Sequence, residues 1–237
     1  MHNENLKTIT EEEETQERFH ANLATGLHAL AQPLTVLRSA VVASSLSGLS
    51  DEDRKRYSDI SAEQVERACS FFQSLQQMLA LCQNQPERAR IDVAAMLAPV
   101  VEGQKETFAA AGLGINVLIP YELPAAAGDM DRTLQALFAV LKIAVAISQP
   151  GGVTELRVNH WRGFVVLSVR NAVAHGRRLN AAERLSLALA ETNLRSQHGK
   201  YEFAEDPFHV SLALPVLTLE TAKSQDASHS LRAQSFH

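Results

Sequence analysis

The stretch LATGLHALAQPLTVLRSAVVASS, Leu23–Ser45, decides how the rest of the chain is read. Leu23, Leu27, Leu30, Leu34, Leu37 and Val41 recur at alternating spacings of four and three. That is the heptad seam of a helix that packs along other helices. With Leu27 and Leu34 at a and Leu30 and Leu37 at d, His28 falls at b and Gln32 at f. Both are expected off the seam, facing water or a partner. Pro33 stands inside the same helix, five residues after His28. Its nitrogen carries no hydrogen, so the carbonyl of Ala29 loses its intrahelical donor and a kink is expected. An interior proline costs about 3 kcal/mol, and its place just past an exposed histidine invites a functional reading.

Outward from this stretch, residues 1–10 are polar and expected to be a disordered lead-in. Thr10 followed by Glu11–Glu14 suits a helix start, a hydroxyl cap with first-turn carboxylates at the positive end of the dipole. Helix one is expected to run to about Leu46, with a turn at Ser47–Ser50. Ser50 then caps helix two, whose first turn carries Asp51, Glu52 and Asp53. Its seam is read as Val65, Ala68, Phe72, Leu75, Leu79 and Cys82, with Phe71 and Phe72 in the bundle core. Two such helices of about 30 residues joined by a short turn make an antiparallel hairpin about 45 Å long, spanning 11–84. One hairpin cannot cover both seams, so two copies are expected to form a homodimeric four-helix bundle.

Gln83–Glu87 marks a boundary, since Pro86 cannot continue the helix and the composition turns polar. Residues 88–217 read as an α+β domain. The expected order is strand Arg90–Val93, helix Ala94–Ala111, strand Ile115–Pro120 and an apolar helix Leu134–Ile147 capped by Asp129 or Asp131. A hairpin of Glu155–His160 and Phe164–Val169 follows, then a helix Asn180–His198 and strands Tyr201–Ala204 and Phe208–Leu214. Residues 218–237 lack periodicity and are expected to be disordered.

Composition sets limits on function. The 237 residues are 46% hydrophobic and 21% charged, enough for two small cored domains. Net charge is −5, but residues 1–18 alone carry −4, leaving the body almost neutral. Without a basic stripe, nucleic acid is not an expected partner. No apolar run is long enough to span a bilayer, and the acidic start is unlike a signal peptide, so a cytoplasmic location is expected. Cys69 and Cys82 lack metal-ligand spacing and are expected as reduced, buried thiols. His20 and His160 have no second ligand at metal spacing and are expected at the surface or in a strand. Trp161 is expected to pack.

The string His28-Ala-Leu-Ala-Gln-Pro33-Leu-Thr resembles the histidine box of two-component sensor histidine kinases, H-[ED]-[LI]-x-x-P-L-T. The later order of elements looks like their ATP-binding domain, so the resemblance covers about 20–217. It implies a dimeric helical hairpin with His28 as phospho-acceptor, followed by a degenerate ATPase-like α/β sandwich. The family's asparagine box, D-x-x-x-L-x-Q-x-L-x-N-L-L-x-N-A, aligns with Asp129, Thr133, Gln135, Leu137, Leu141 and Ala144. Its two asparagines are Ala139 and Ile143 here. The second of these holds magnesium in the family, and isoleucine offers no oxygen to a hard cation. The family's D-x-G-x-G is Asn171-Ala-Val-Ala-His175, and its later glycine box is Leu185-Ser-Leu-Ala188. Glycines that permit close backbone approach are missing from both. The acidic general base after the histidine is Ala29.

Donor machinery lost and an acceptor kept is the pattern of a phosphorelay intermediate. The resemblance therefore implies a histidine phosphotransferase that passes a phosphoryl group between response-regulator aspartates through His28, without ATP. Gln32, one turn on, is expected to assist, and Thr25, Ala29 and Thr35 to contact the partner. No cofactor or metal of its own is expected, since a receiver domain would bring the magnesium. Expected partners are a second copy and response-regulator receivers. The alternative is a non-catalytic, pseudokinase-type dimeric module that regulates a response regulator or kinase by docking.

Overall fold

The computed structural model describes residues 2–174 and 177–217. The expected disordered tail, 218–237, lies outside the described residues. The chain forms two compact units. One runs to Gln83 and includes Asn180–Thr192; the other comprises Asn84–Leu179 and the chain from Asn193.

The first unit is built on α1 (His2–Ser44) and α2 (Asp51–Gln83). No glycine precedes Gly26 and no proline precedes Pro33, so nothing in the sequence forces a start at Thr10. The helix accordingly includes residues expected to be a disordered lead-in. The turn uses Gly48 at φ 89°, a conformation that favours glycine. Ser50 caps α2 as expected: its hydroxyl accepts from the Asp53 N–H at 3.1 Å and donates to the Asp53 carboxylate at 2.6 Å.

The inner face of α1 differs from the leucine seam. Leu27, Leu34 and Val41 are exposed, Leu27 by 54%, while Gly26, Ala29, Pro33 and Ala40 are buried. On α2 the buried set is Gln64, Phe71, Leu75 and Met78, whereas Val65, Phe72 and Leu79 face outward. Gly26, Pro33 and Ala40 on α1 and Gln64, Phe71 and Met78 on α2 each sit one position before an expected seam residue, while Leu75 is buried as expected. Small residues on α1 let neighbouring helices approach closely; Leu27 and Leu34 beside them remain outside.

A third helix, α5 (Ala181–Arg195), supplies the reason. Its Leu185 and Ala188 join Ala29, Phe71 and Met78 in one buried cluster, with Phe19, Leu30, Ala181 and Leu189 around it. Asn22 donates to the Ala188 carbonyl at 3.4 Å and to the Glu191 carboxylate at 3.1 Å. A Cβ on Gly26 would lie 2.5 Å from Leu75 Cδ2 and 2.9 Å from Leu185 Cδ1. Early α1 thus meets late α5, and the two run antiparallel.

The second unit holds a five-stranded mixed sheet, ordered β2-β4-β5-β7-β6, from β2 (Gly114–Leu118), β4 (Val153–Trp161), β5 (Phe164–Asn171), β6 (Lys200–Ala204) and β7 (Phe208–Pro215). Only the β2–β4 pair is parallel. Two short strands, β1 (Ala89–Ile91) and β3 (Ala126–Gly128), pair antiparallel. Strand β3 reads Ala-Ala-Gly, which has no strand propensity, so pattern alone misses it. Helices α3 (Val93–Ala110) and α4 (Met130–Ile147) begin at Asp92 and Asp129, whose carboxylates accept from Ala95 N–H at 3.0 Å and Arg132 N–H at 3.1 Å. Between β4 and β5, Arg162 and Gly163 both have positive φ, 48° and 79°, the requirement of a tight primed turn. Trp161 is exposed rather than packed, with the Arg162 guanidinium 4.3 Å over its ring.

Candidate functional site

A groove of about 800 Å³ opens in the first unit. One wall is α1 from His28 to Val36, the other α2 from Gln64 to Phe71, and Asn180–Ala182 close one end. Because α5 lies against the hairpin and begins at this level, the groove continues the path of α5 beyond its N-terminus.

His28 and Gln32 are exposed and line the groove, as the helical spacing places them. Thr35 also lines it, its hydroxyl donating to the Ala31 carbonyl at 2.9 Å. Thr25 is exposed and bonded in the same way to Ala21 at 2.9 Å, but does not line the groove. Ala29 requires correction as a partner contact. It is 2% exposed and packs in the cluster with Phe71, Met78, Leu185 and Ala188, since only a small side chain fits where three helices meet. Cys69 is likewise exposed rather than buried, and the side chain of Cys82 lies outside the described residues.

Sequence reasoning missed the residues that α2 and α5 bring to this groove: Gln64, Arg67, Ser70 and the first turn of α5. One signal was present. Gln64 stands in phase with Phe71 and Met78 at seven-residue steps, a polar residue in an otherwise apolar row. The seam assigned one position later hid it. Arg67 pairs with Glu63 at 2.7 Å, both more than half exposed, so the pair adds little stability. At α5, the Asn180 side chain accepts from the Glu183 N–H at 2.9 Å while Glu183 accepts from the Asn180 N–H at 2.8 Å, a reciprocal cap.

In the second unit, Ile143, where the kinase pattern has its magnesium-binding asparagine, is buried in α4. Asn171, where the pattern has its adenine-reading aspartate, is buried too. Its amide donates to the Ala144 carbonyl at 2.8 Å and to the Ser148 hydroxyl. Beyond it, Val173 bridges Ser148, and Ala174 N–H donates to the Ile147 carbonyl at 2.9 Å. The chain after β5 is thus bonded to the end of α4. Of the residues at the glycine-box position, Leu185 and Ala188 pack on the helical hairpin.

No protein-family model matches the chain, and no curated protein matches it in sequence. Solved structures do match. The histidine kinase AdeS of Acinetobacter baumannii superposes with a TM-score of 0.55 at 15% identity, over 80% of this chain and 96% of that one. Full-length ShkA in complex with AMPPNP superposes with a TM-score of 0.52 at 17% identity, over 91% of this chain and 46% of that one. At such identities the likeness is one of fold, and the fold is that of the histidine kinases: a helical hairpin followed by their ATPase-like α/β domain.

Proposed function

We propose that the chain is a histidine phosphotransfer protein of a two-component phosphorelay, working in the cytoplasm as a homodimer and without ATP. The observation that carries the reading is a contrast. An exposed imidazole lines a groove on one unit, while the magnesium-ligand position of the other is a buried isoleucine. The bonding of Ala174 to Ile147 and of Asn171 to Ala144 supports it, because both occupy backbone and amide groups beside which a nucleotide would have to fit.

In the proposed step, a neutral imidazole nitrogen of His28 attacks the phosphorus of an aspartyl phosphate in line. The P–N bond forms as the P–O bond to the aspartate breaks, the carboxylate leaves with the electron pair, and the proton on the other ring nitrogen can pass to water. Return transfer to a second aspartate reverses the step. Gln32, one turn on, donates an amide hydrogen bond to the phosphoryl oxygens. A receiver domain would bring the magnesium that neutralises their remaining charge.

The test offers two labelled donors. A phosphorylated receiver is expected to leave acid-labile label on the wild-type chain and none on His28→Ala, and labelled ATP to leave none on either. Equal label on His28→Ala, or label from ATP, overturns the reading.

A further inference from the structure

Gln64 has no part in phosphotransfer through His28, yet it holds an unusual position in the same groove. It is 7% exposed, and none of the described residues hydrogen-bonds its side chain. Its polar atoms are not among those sealed from solvent, so the amide opens on the groove it lines. No group among the described residues meets these atoms, which leaves them to groove water or to a docked polar group. A polar side chain held here, in an otherwise apolar row, points to a ligand.

The rest of the lining says what kind. Ala181 and Ala182, in the first turn of the 15-residue α5, have no acceptor within the helix for their N–H groups, while Asn180 serves Glu183. Arg67 adds a guanidinium, one side of which Glu63 pairs at 2.7 Å, and among the described residues no acidic side chain lines the groove. Donors face a space walled by Pro33, Val36 and Phe71. Such a groove suits an apolar surface that carries a carboxylate.

We propose that Gln64 is a specificity-determining residue of the docking surface, its amide donating a hydrogen bond to a carboxylate carried by the docked receiver domain. This rests on the phosphotransfer reading and goes beyond it, since His28 and Gln32 suffice for the chemistry. Selection among receivers then depends on whether an acidic side chain meets Gln64.

The probe is a receiver domain that labels His28, loaded with beryllofluoride to mimic its aspartyl phosphate and titrated against the full chain by calorimetry. Gln64→Leu is expected to weaken binding about tenfold, the loss of a hydrogen bond to a charged group. Gln64→Glu should weaken it further through like-charge repulsion. Thermal melting separates recognition from structure: Gln64→Leu should melt at or above the wild-type temperature, because an apolar side chain suits a position that is only 7% exposed. Wild-type affinity in both Gln64 variants overturns the inference alone. So does a Gln64→Leu chain that melts lower as it binds less. Absence of label on His28 from every phosphorylated receiver overturns the phosphotransfer reading, and this inference with it.

Discussion

At the scale of single residues, Ile143 and Asn171 stand where the resemblance to the kinase boxes implies nucleotide contacts, and both are buried. Ile143 fills α4, and the Asn171 amide holds the end of the same helix, its own oxygen buried without a partner among the described residues. A titrating residue nearby gives a direct measurement. His209 on β7 holds its proton less tightly than a free histidine, first because burial disfavours the imidazolium, then because Arg170, its partner on β5, repels it; Glu202 opposes both. Below its ordinary value of about 6.5 the unfolded chain therefore binds more protons than the folded one. The contribution of His209 to stability is complete above that value and is lost as pH falls below it. The melting temperature should drop between about pH 7 and pH 5, and less steeply in His209→Gln. Identical slopes for the two proteins would show that His209 is not the group responsible.

At the scale of elements, the docking of α5 against α1 and α2 explains why the inner face of α1 is lined with small residues. Gly26 is the point of closest approach, with Leu75 and Leu185 on either side of the space a larger side chain would need. Gly26→Leu should cost about 1–3 kcal/mol by overpacking, despite leucine's better helix propensity. Urea denaturation followed by circular dichroism reads it. A neutral or stabilising result would mean that α5 does not pack there. A glycine run at Leu185–Ala188 would weaken α5 and remove the leucine and alanine that enter the cluster.

At the scale of the whole molecule, the leucines that the inner seam leaves out remain exposed. Leu27, Leu34 and Val41 on α1, and Val65, Phe72 and Leu79 on α2, repeat at seven-residue steps. Apolar stripes of this regularity suit a second copy of the chain, as in the proposed homodimer. Phe72 is 53% exposed and central to its row. Light scattering should give twice the chain mass for the wild type, and Phe72→Glu should shift the protein toward monomer at micromolar concentration. A wild-type monomer, or a Phe72→Glu dimer of undiminished stability, would remove this part of the proposal.

The sequence by itself determined what depends on near neighbours along the chain. Helix spacing placed His28 and Gln32 on an exposed face, Ser50 marked one helix start, and Asp129 or Asp131 marked another. It also gave the order of nearly all the strands, because alternation and turn chemistry are local. Only the tertiary structure decided which of two adjacent apolar rows on each helix faces inward. Leu27 and Gly26 differ by a single step around α1, and the choice rests on α5, whose residues come more than 150 positions later. That is also why Ala29 moved from the partner surface to the core and why Gln64 went unnoticed. Burial is a property of three helices together, and a period of seven cannot say which of its neighbours arrives from far along the chain.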